Sequence, residues 1–297
     1  MLDSTDNISR DLLHYEIVGK EGAPWLVFVH GAGGSIRTWK FQVEYFSKDF
    51  RLLLLDLRDH GFSKNIQPEY NAYDFDIVAF DIIKVIDHLK IEKAYFLSLS
   101  IGSVILQKLD LLRPHLVDKM VMAGAIFDGS MFMHAFVYSG KLLSYILPFR
   151  AFYSLFSIIV LPRRNHRLSR YIFRKQSMRM TTAEYLKWVE LYRPFFKLIK
   201  EYVNRQISKE CLLVMGDQDH IFFRSAKKFA CSQKKAKLSV IKGCGHVVSI
   251  ESPKLFNKIA SDFLKGLDVP LSVQAEPIPY KWSELKAMKT GRSKLTK

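Results

Sequence analysis

Ala94-Tyr-Phe-Leu-Ser-Leu-Ser-Ile-Gly102 joins a short apolar run to a segment, Ser103 to Leu112, in which apolar residues recur at helical spacing. A strand that runs straight into a helix through a sharp turn lifts the residue at the bend clear of the sheet, at a cost in backbone strain. Ser100 stands at that bend. The turn needs small residues two before and two after it; Gly102 meets the need, and Ser98 stands where glycine is usual. The first amides of the following helix also point toward the bend and favour negative charge there. Ser100 is therefore a candidate nucleophile. Ser98 is a poor rival, because the residue two before it is Phe96.

Working outward, similar apolar runs recur, each ending in turn chemistry. They are Trp25–Val29 before His30-Gly31, Leu52–Leu55 before Asp56, Met120–Met122, Leu212–Met215 before Gly216, and Leu238–Ile241 before Gly243. Unbroken apolar runs without alternation suit strands buried on both faces. Between them lie helix-period segments, such as the stripe Phe75, Val78, Ile82, Val85, Ile86 and Leu89, and the stretch Lys254 to Leu264. This alternation predicts an α/β fold, a mostly parallel central sheet with helices on both faces. It fails between Asp128 and Ser208, where the signals are only helical: Thr181-Thr-Ala-Glu184 is a capping box, and Pro194 kinks or restarts the helix after it. The expected organisation is a core over 1–127 and 209–267, an all-helical insert over 128–208 lying above the carboxyl edge of the sheet, and a basic extension over 268–297.

Three further motifs follow strand-like runs. In His30-Gly31-Ala32-Gly33-Gly34 the glycines allow close backbone approach, and the N–H of Ala32, with that of Ile101, is placed to stabilise a developing oxyanion. The loop lacks the Lys-Ser/Thr of a phosphate loop and the G-x-G-x-x-G dinucleotide spacing. Gly216-Asp217-Gln218-Asp219 offers two carboxylates; the distance from the glycine favours Asp219 over Asp217, and Asp128 is a fallback. Gly243-Cys244-Gly245-His246 presents a histidine between flexible residues, whereas His14, His60, His88, His115, His134, His166 and His220 lack such a setting.

Taken together, these motifs resemble the α/β-hydrolase family over about residues 12–266, in the order Ser100, Asp219, His246. The loop Asp56-Leu-Arg-Asp-His-Gly-Phe-Ser63 is similar to that family's D-x-R-G-x-G-x-S segment, with Asp59 in place of a glycine. The resemblance implies a serine hydrolase, with Ser100 as nucleophile, His246 as base and Asp219 orienting it. It also implies a helical cap over 128–208 that shapes the substrate pocket, and no metal or organic cofactor. Phe127, Met131, Phe132, Met133, Phe136, Tyr145, Phe149, Phe152, Tyr153 and Phe156 would make an apolar lining, and hence favour an apolar acyl ester as substrate. Lactone opening, C–C bond hydrolysis, perhydrolysis or acyl transfer could run on the same triad, and a ligand sensor could keep the triad without turnover.

Composition bounds the remaining possibilities. Three cysteines without a C-x-x-C pair argue against a disulfide framework or a zinc site. Met1 to Arg10 does not read as a secretory signal, so a cytoplasmic setting is expected. The net charge is +16, and residues 128–200 hold thirteen Lys or Arg against three acids. A field so concentrated attracts anions and allows peripheral contact with an anionic membrane; no nucleic-acid module is recognisable. The charge-free stretch Ala151 to Pro162 falls well short of the ~20 residues a spanning helix needs.

Overall fold

The computed structural model describes residues 11–275, so the leader reading of Met1–Arg10 and the prolines and basic residues beyond 275 lie outside the described residues. Among the described residues eight strands form one sheet: β1 Tyr15–Val18, β2 Trp25–Val29, β3 Arg51–Leu55, β4 Ala94–Leu99, β5 Val117–Ala123, β6 Glu210–Gly216, β7 Ala236–Lys242 and β8 Ser272–Gln274. Their order is β1-β3-β2-β4-β5-β6-β7-β8; β1 is antiparallel to β3 and all other pairs are parallel. Every apolar run read as a strand is one. Val27, Phe28, Leu53, Phe96, Val121 and Leu213 are fully buried, as strands covered on both faces must be.

Helices α1 Val43–Phe46, α2 Phe75–His88 and α3 Ile101–Leu112 alternate with the first strands; α4 Met131–Ile146, α5 Phe149–Val160, α6 Arg167–Ser177, α7 Thr182–Val189 and α8 Tyr192–Val203 lie between β5 and β6; α9 Phe223–Ser232, α10 Val248–Glu251 and α11 Pro253–Leu264 follow β6. α2 packs on α3, which lies over β2, β4 and β5, while α1 packs on α11, which lies over β6 and β7. The chain thus has the α/β architecture expected, with a purely helical segment where the alternation fails. Thr181 Oγ1 accepts from the N–H of Glu184 and the Glu184 carboxylate accepts from that of Thr181, completing the capping box. The next helix restarts at Tyr192, so Pro194 sits in its first turn, where a missing N–H costs nothing.

Two strands escape the sequence reading. β1 is four residues long and only half-buried at an edge, so it carries no apolar run. The expected extension over 268–297 is corrected at its start: β8 adds to β7, with Val240 opposite Ser272, and Ser239 Oγ donates to the Pro270 carbonyl at 2.6 Å. Three residues, two of them polar, give no periodic signal, and a sheet edge supplies the missing hydrogen bonds. Among the described residues no helix is long and apolar enough to cross a membrane.

Candidate active site

The strand order reverses direction between β2 and β4, and loops leaving the carboxyl ends of such neighbouring strands frame a crevice. The His30–Gly34 loop leaves β2, Ser100 follows β4, Asp219 follows β6 and His246 follows β7. Ser100 adopts φ 55° and ψ −124°, a strained conformation for a residue with a Cβ. Its N–H donates to the Ala123 carbonyl at 3.0 Å, and its own carbonyl accepts from Ser103 N and Oγ at 2.8 and 2.7 Å. A Cβ on Gly102 would stand 2.5 Å from the Val29 carbonyl oxygen and 2.8 Å from that of His30, which is why the bend needs glycine there. Ser98 substitutes for the usual glycine without strain, because it belongs to β4, fully buried between Val29 and Met122.

Ser100, His246 and Asp219 come together. His246 Nε2 lies 2.9 Å from Ser100 Oγ, and His246 Nδ1 lies 2.8 Å from Asp219 Oδ2. A carboxylate only accepts, so the imidazole proton resides on Nδ1 and Nε2 is free to accept from the serine hydroxyl. Asp219 is fully buried and its second oxygen accepts from Phe222 N at 3.0 Å. The alternative acids are occupied elsewhere. Asp217 accepts from Gly243 N at 2.7 Å, and Asp128 accepts from Ser130 N at 2.7 Å at the start of α4.

Ala32 and Ile101 border the same cavity as Ser100, and neither N–H donates to a backbone carbonyl among the described residues. The loop carrying Ala32 is held from beneath. His30 Nδ1–H donates to the Gly31 carbonyl at 2.8 Å while Nε2 accepts from Leu57 N at 3.0 Å. His60 Nε2 accepts from Gly33 N and its Nδ1–H donates to the Arg58 carbonyl, both at 2.9 Å. Burial pushes both imidazoles below the usual histidine range, His60 strongly, so they stay neutral and keep these roles. His60 lies within the Asp56–Ser63 segment, but only its position across the loop reveals this role. Asp59, where a glycine is usual, takes φ 60°, a conformation aspartate tolerates, and accepts from Tyr73 Oη at 2.5 Å.

Glu251 is a second residue the sequence does not announce. Its two oxygens accept from the N–H groups of Gly245 and Val247, at 2.6 and 3.2 Å, and so clamp the loop on either side of His246. Burial raises its carboxyl to about 6, against the pull of those N–H groups. Cys244 is buried, and burial raises its thiol, which removes it as a nucleophile. Among the described residues no group of three His, Cys, Asp or Glu could hold a metal ion.

The cavity above Ser100 has a volume of about 290 Å³. Of the expected lining, Met133, Phe136, Phe152 and Phe156 border it, joined by Phe173, Tyr185 and Trp188. The others are corrected. Phe127 stacks on Phe229 at 3.8 Å and Phe149 packs against Tyr185 at 4.5 Å. Met131, Phe132 and Tyr145 point outward, and Tyr153 turns to the Ala32 loop. A helix buries one stripe, and the aromatic content of α4 and α5 exceeds what one stripe can hold.

The alpha/beta hydrolase family model matches residues 26–259. A Haemophilus influenzae protein named as an esterase/lipase is 22% identical over 86% of this chain and 90% of its own length. Among solved structures, the enol-lactonase of Burkholderia xenovorans superposes with a TM-score of 0.71 at 21% identity, over 85% of this chain and 96% of its own. An esterase of Exiguobacterium antarcticum does so with a TM-score of 0.74 at 19% identity, over 85% and 95%.

Proposed function

We propose that this chain, which belongs to the alpha/beta hydrolase family, hydrolyses carboxylic esters with an apolar acyl group through an acyl-enzyme on Ser100. The observation that carries the reading is the unbroken chain from Ser100 Oγ through His246 to Asp219, at 2.9 and 2.8 Å, with Ser100 on the floor of an apolar cavity.

Ser100 Oγ attacks the ester carbonyl carbon as its proton passes to His246 Nε2; the carbonyl electron pair moves onto oxygen. Asp219 holds the ring and steadies the imidazolium. The N–H groups of Ala32 and Ile101 receive the oxyanion, each worth on the order of 3 kcal/mol in the transition state. Collapse breaks the bond to the alcohol, which leaves with the proton from Nε2. Water, deprotonated by the same nitrogen, then releases the acid. The imidazole needs no relocation between the two halves, since one nitrogen serves both.

The likeness to an enol-lactonase keeps lactone opening in view, because a lactone is an internal ester and demands the same donors. The cavity favours an apolar acyl group, since Phe136, Phe152 and Phe156 make up much of a mainly apolar lining that also holds Ser139, Lys141 and Tyr192.

A chain-length series of 4-nitrophenyl esters tests the reading, alongside stoichiometric labelling of Ser100 by a fluorophosphonate. Turnover that rises with acyl length and disappears in Ser100→Ala supports it. Labelling without turnover of any ester or lactone would replace it with a ligand-sensing role, and partition to added alcohols in preference to water would make it an acyltransferase.

A further inference from the structure

The outward residues of α4 and α5 form an apolar surface that folding leaves uncovered. On α4, Met131, Tyr138, Leu142 and Tyr145 follow one another at spacings of seven, four and three and so share a face; each is more than half exposed. On α5, Leu155, Ile158 and Ile159 are 40–49% exposed. The two helices lie side by side, since Phe136 packs on Phe156 at 6.2 Å and a Cβ on Gly140 would touch Phe152. Their outward faces therefore join into one patch. A patch of this kind on a folded chain marks a contact surface.

Charge identifies the occupant. From Gly129 to Ala183 the sequence holds nine Lys or Arg and not one Asp or Glu. Arg150 is exposed in the first turn of α5, and Arg163 and Arg164 are exposed just past its end, none of them in an ion pair with a described residue. The carboxylate bordering the patch, Glu190, is neutralised by Lys141 at 2.9 Å and Arg193 at 3.1 Å. Apolar side chains rimmed by unpaired cations match the boundary between anionic headgroups and acyl chains, into which such a helix face sinks by about 5–10 Å. They do not match a second copy of this chain, whose patch would bring the same cations against each other.

The patch also meets the catalytic cavity. Leu155 and Ile159 line that cavity and are at the same time 40% exposed, so it opens onto the surface between α4 and α5. We propose that α4 and α5 dock on an anionic lipid bilayer and that the acyl chain of a membrane lipid ester passes from the bilayer to Ser100 through this opening. The second half deepens the esterase reading and rests on it; the docking does not. An acyl chain moving this way never crosses water, which removes the penalty of exposing its methylenes on the way to the site.

The test uses the full-length chain carrying Ser100→Ala, so that binding is scored without turnover, in flotation with vesicles of phosphatidylcholine alone or mixed with phosphatidylglycerol. We expect flotation with the anionic vesicles, weakened by added salt, and a loss of about tenfold or more in affinity when Leu142→Glu and Ile158→Glu are added. Neither Leu142 nor Ile158 borders the cavity, so with Ser100 restored that pair of substitutions should leave fluorophosphonate labelling and short-chain ester turnover unchanged. Absence of flotation overturns the docking. So does flotation that the two substitutions do not weaken, which would place binding in the basic C-terminal residues. So does a dimer in sedimentation velocity that the substitutions dissolve, which would make the patch a contact between copies. If Ser100 fails to label while flotation behaves as expected, the esterase reading falls and the docking stands.

Discussion

The hydroxyl of Tyr153 donates to the carbonyl oxygen of Ala32 at 2.7 Å, linking the helical segment above the sheet to the loop that carries the proposed oxyanion donor. The same ring lies where a side chain on Gly33 would be: a Cβ there would stand 2.6 Å from Tyr153 Oη. The Ala32–Gly33 peptide, next to the one that carries the Ala32 N–H, is thus held by a residue 121 positions away in the sequence.

Tyr153→Phe keeps the packing and removes that hydrogen bond. A lost hydrogen bond at a buried carbonyl costs about 1–2 kcal/mol, or roughly tenfold in rate if it acts through the oxyanion donor. We expect kcat to fall by about that factor with KM little changed, and steady-state kinetics on a 4-nitrophenyl ester will show it. An equal fall in thermal stability with kcat intact would mean that the bond merely braces α5.

Gly102→Ala should be among the most damaging single-methyl additions in the chain. The new Cβ meets two backbone oxygens, at 2.5 and 2.8 Å, and neither can swing away as a side chain would. A loss of about 3 kcal/mol or more in urea unfolding is expected, in the upper range for point substitutions.

His30 and His60 make the stability depend on acid. Both have folded-state values pushed below 6.5 by burial, so the unfolded chain binds protons first as pH falls. Their contribution is fully present well above pH 6.5 and is lost as pH drops from that value through the lower folded-state values. The urea midpoint should decline on acidification from pH 7.5 to 5.5, and His60→Gln should flatten the decline while lowering the midpoint at neutral pH. A variant whose slope equals that of the wild type would clear His60 of this role.

Glu251 acts with the opposite sign. Its carboxyl titrates at about 6 in the fold and 4.5 when free, so ionisation in between disfavours the folded state. Relative to Glu251→Gln, the wild type should lose up to about 2 kcal/mol as pH rises from 4.5 to 6, and nothing further above that. Glutamine also offers one acceptor where Gly245 and Val247 need two, so kcat should drop through the freed His246 loop. Paired denaturation curves and the pH–rate profile separate the two effects.

Legibility in the sequence tracked the range of the interaction. The strands from Trp25 to Ile241 could be read because each is an unbroken apolar run, and burial on both faces demands just that. The elbow at Ser100 announced itself through Gly102, a residue chosen by backbone crowding within a few positions. His60, Glu251 and Tyr153 did not: each acts on a loop that only folding brings beside it, and each is an ordinary residue type in its local surroundings. The direction of the aromatic residues on α4 and α5 was equally hidden, because composition counts them without saying which stripe faces inward.

By itself, then, the order of residues determined the architecture, the strand ends that would carry chemistry, and the identity of a serine, an aspartate and a histidine worth placing there. Those depend on hydrophobic periodicity and on glycines at tight turns, which are local and leave a mark in any window of the chain. The tertiary structure alone decided that the three meet at hydrogen-bonding distance. It also decided which neutral imidazoles brace the His30–Gly34 loop, and which aromatic residues line the cavity rather than face outward. Those are contacts across 27 to 146 positions of sequence, and no local pattern encodes where a folded chain will bring such partners together.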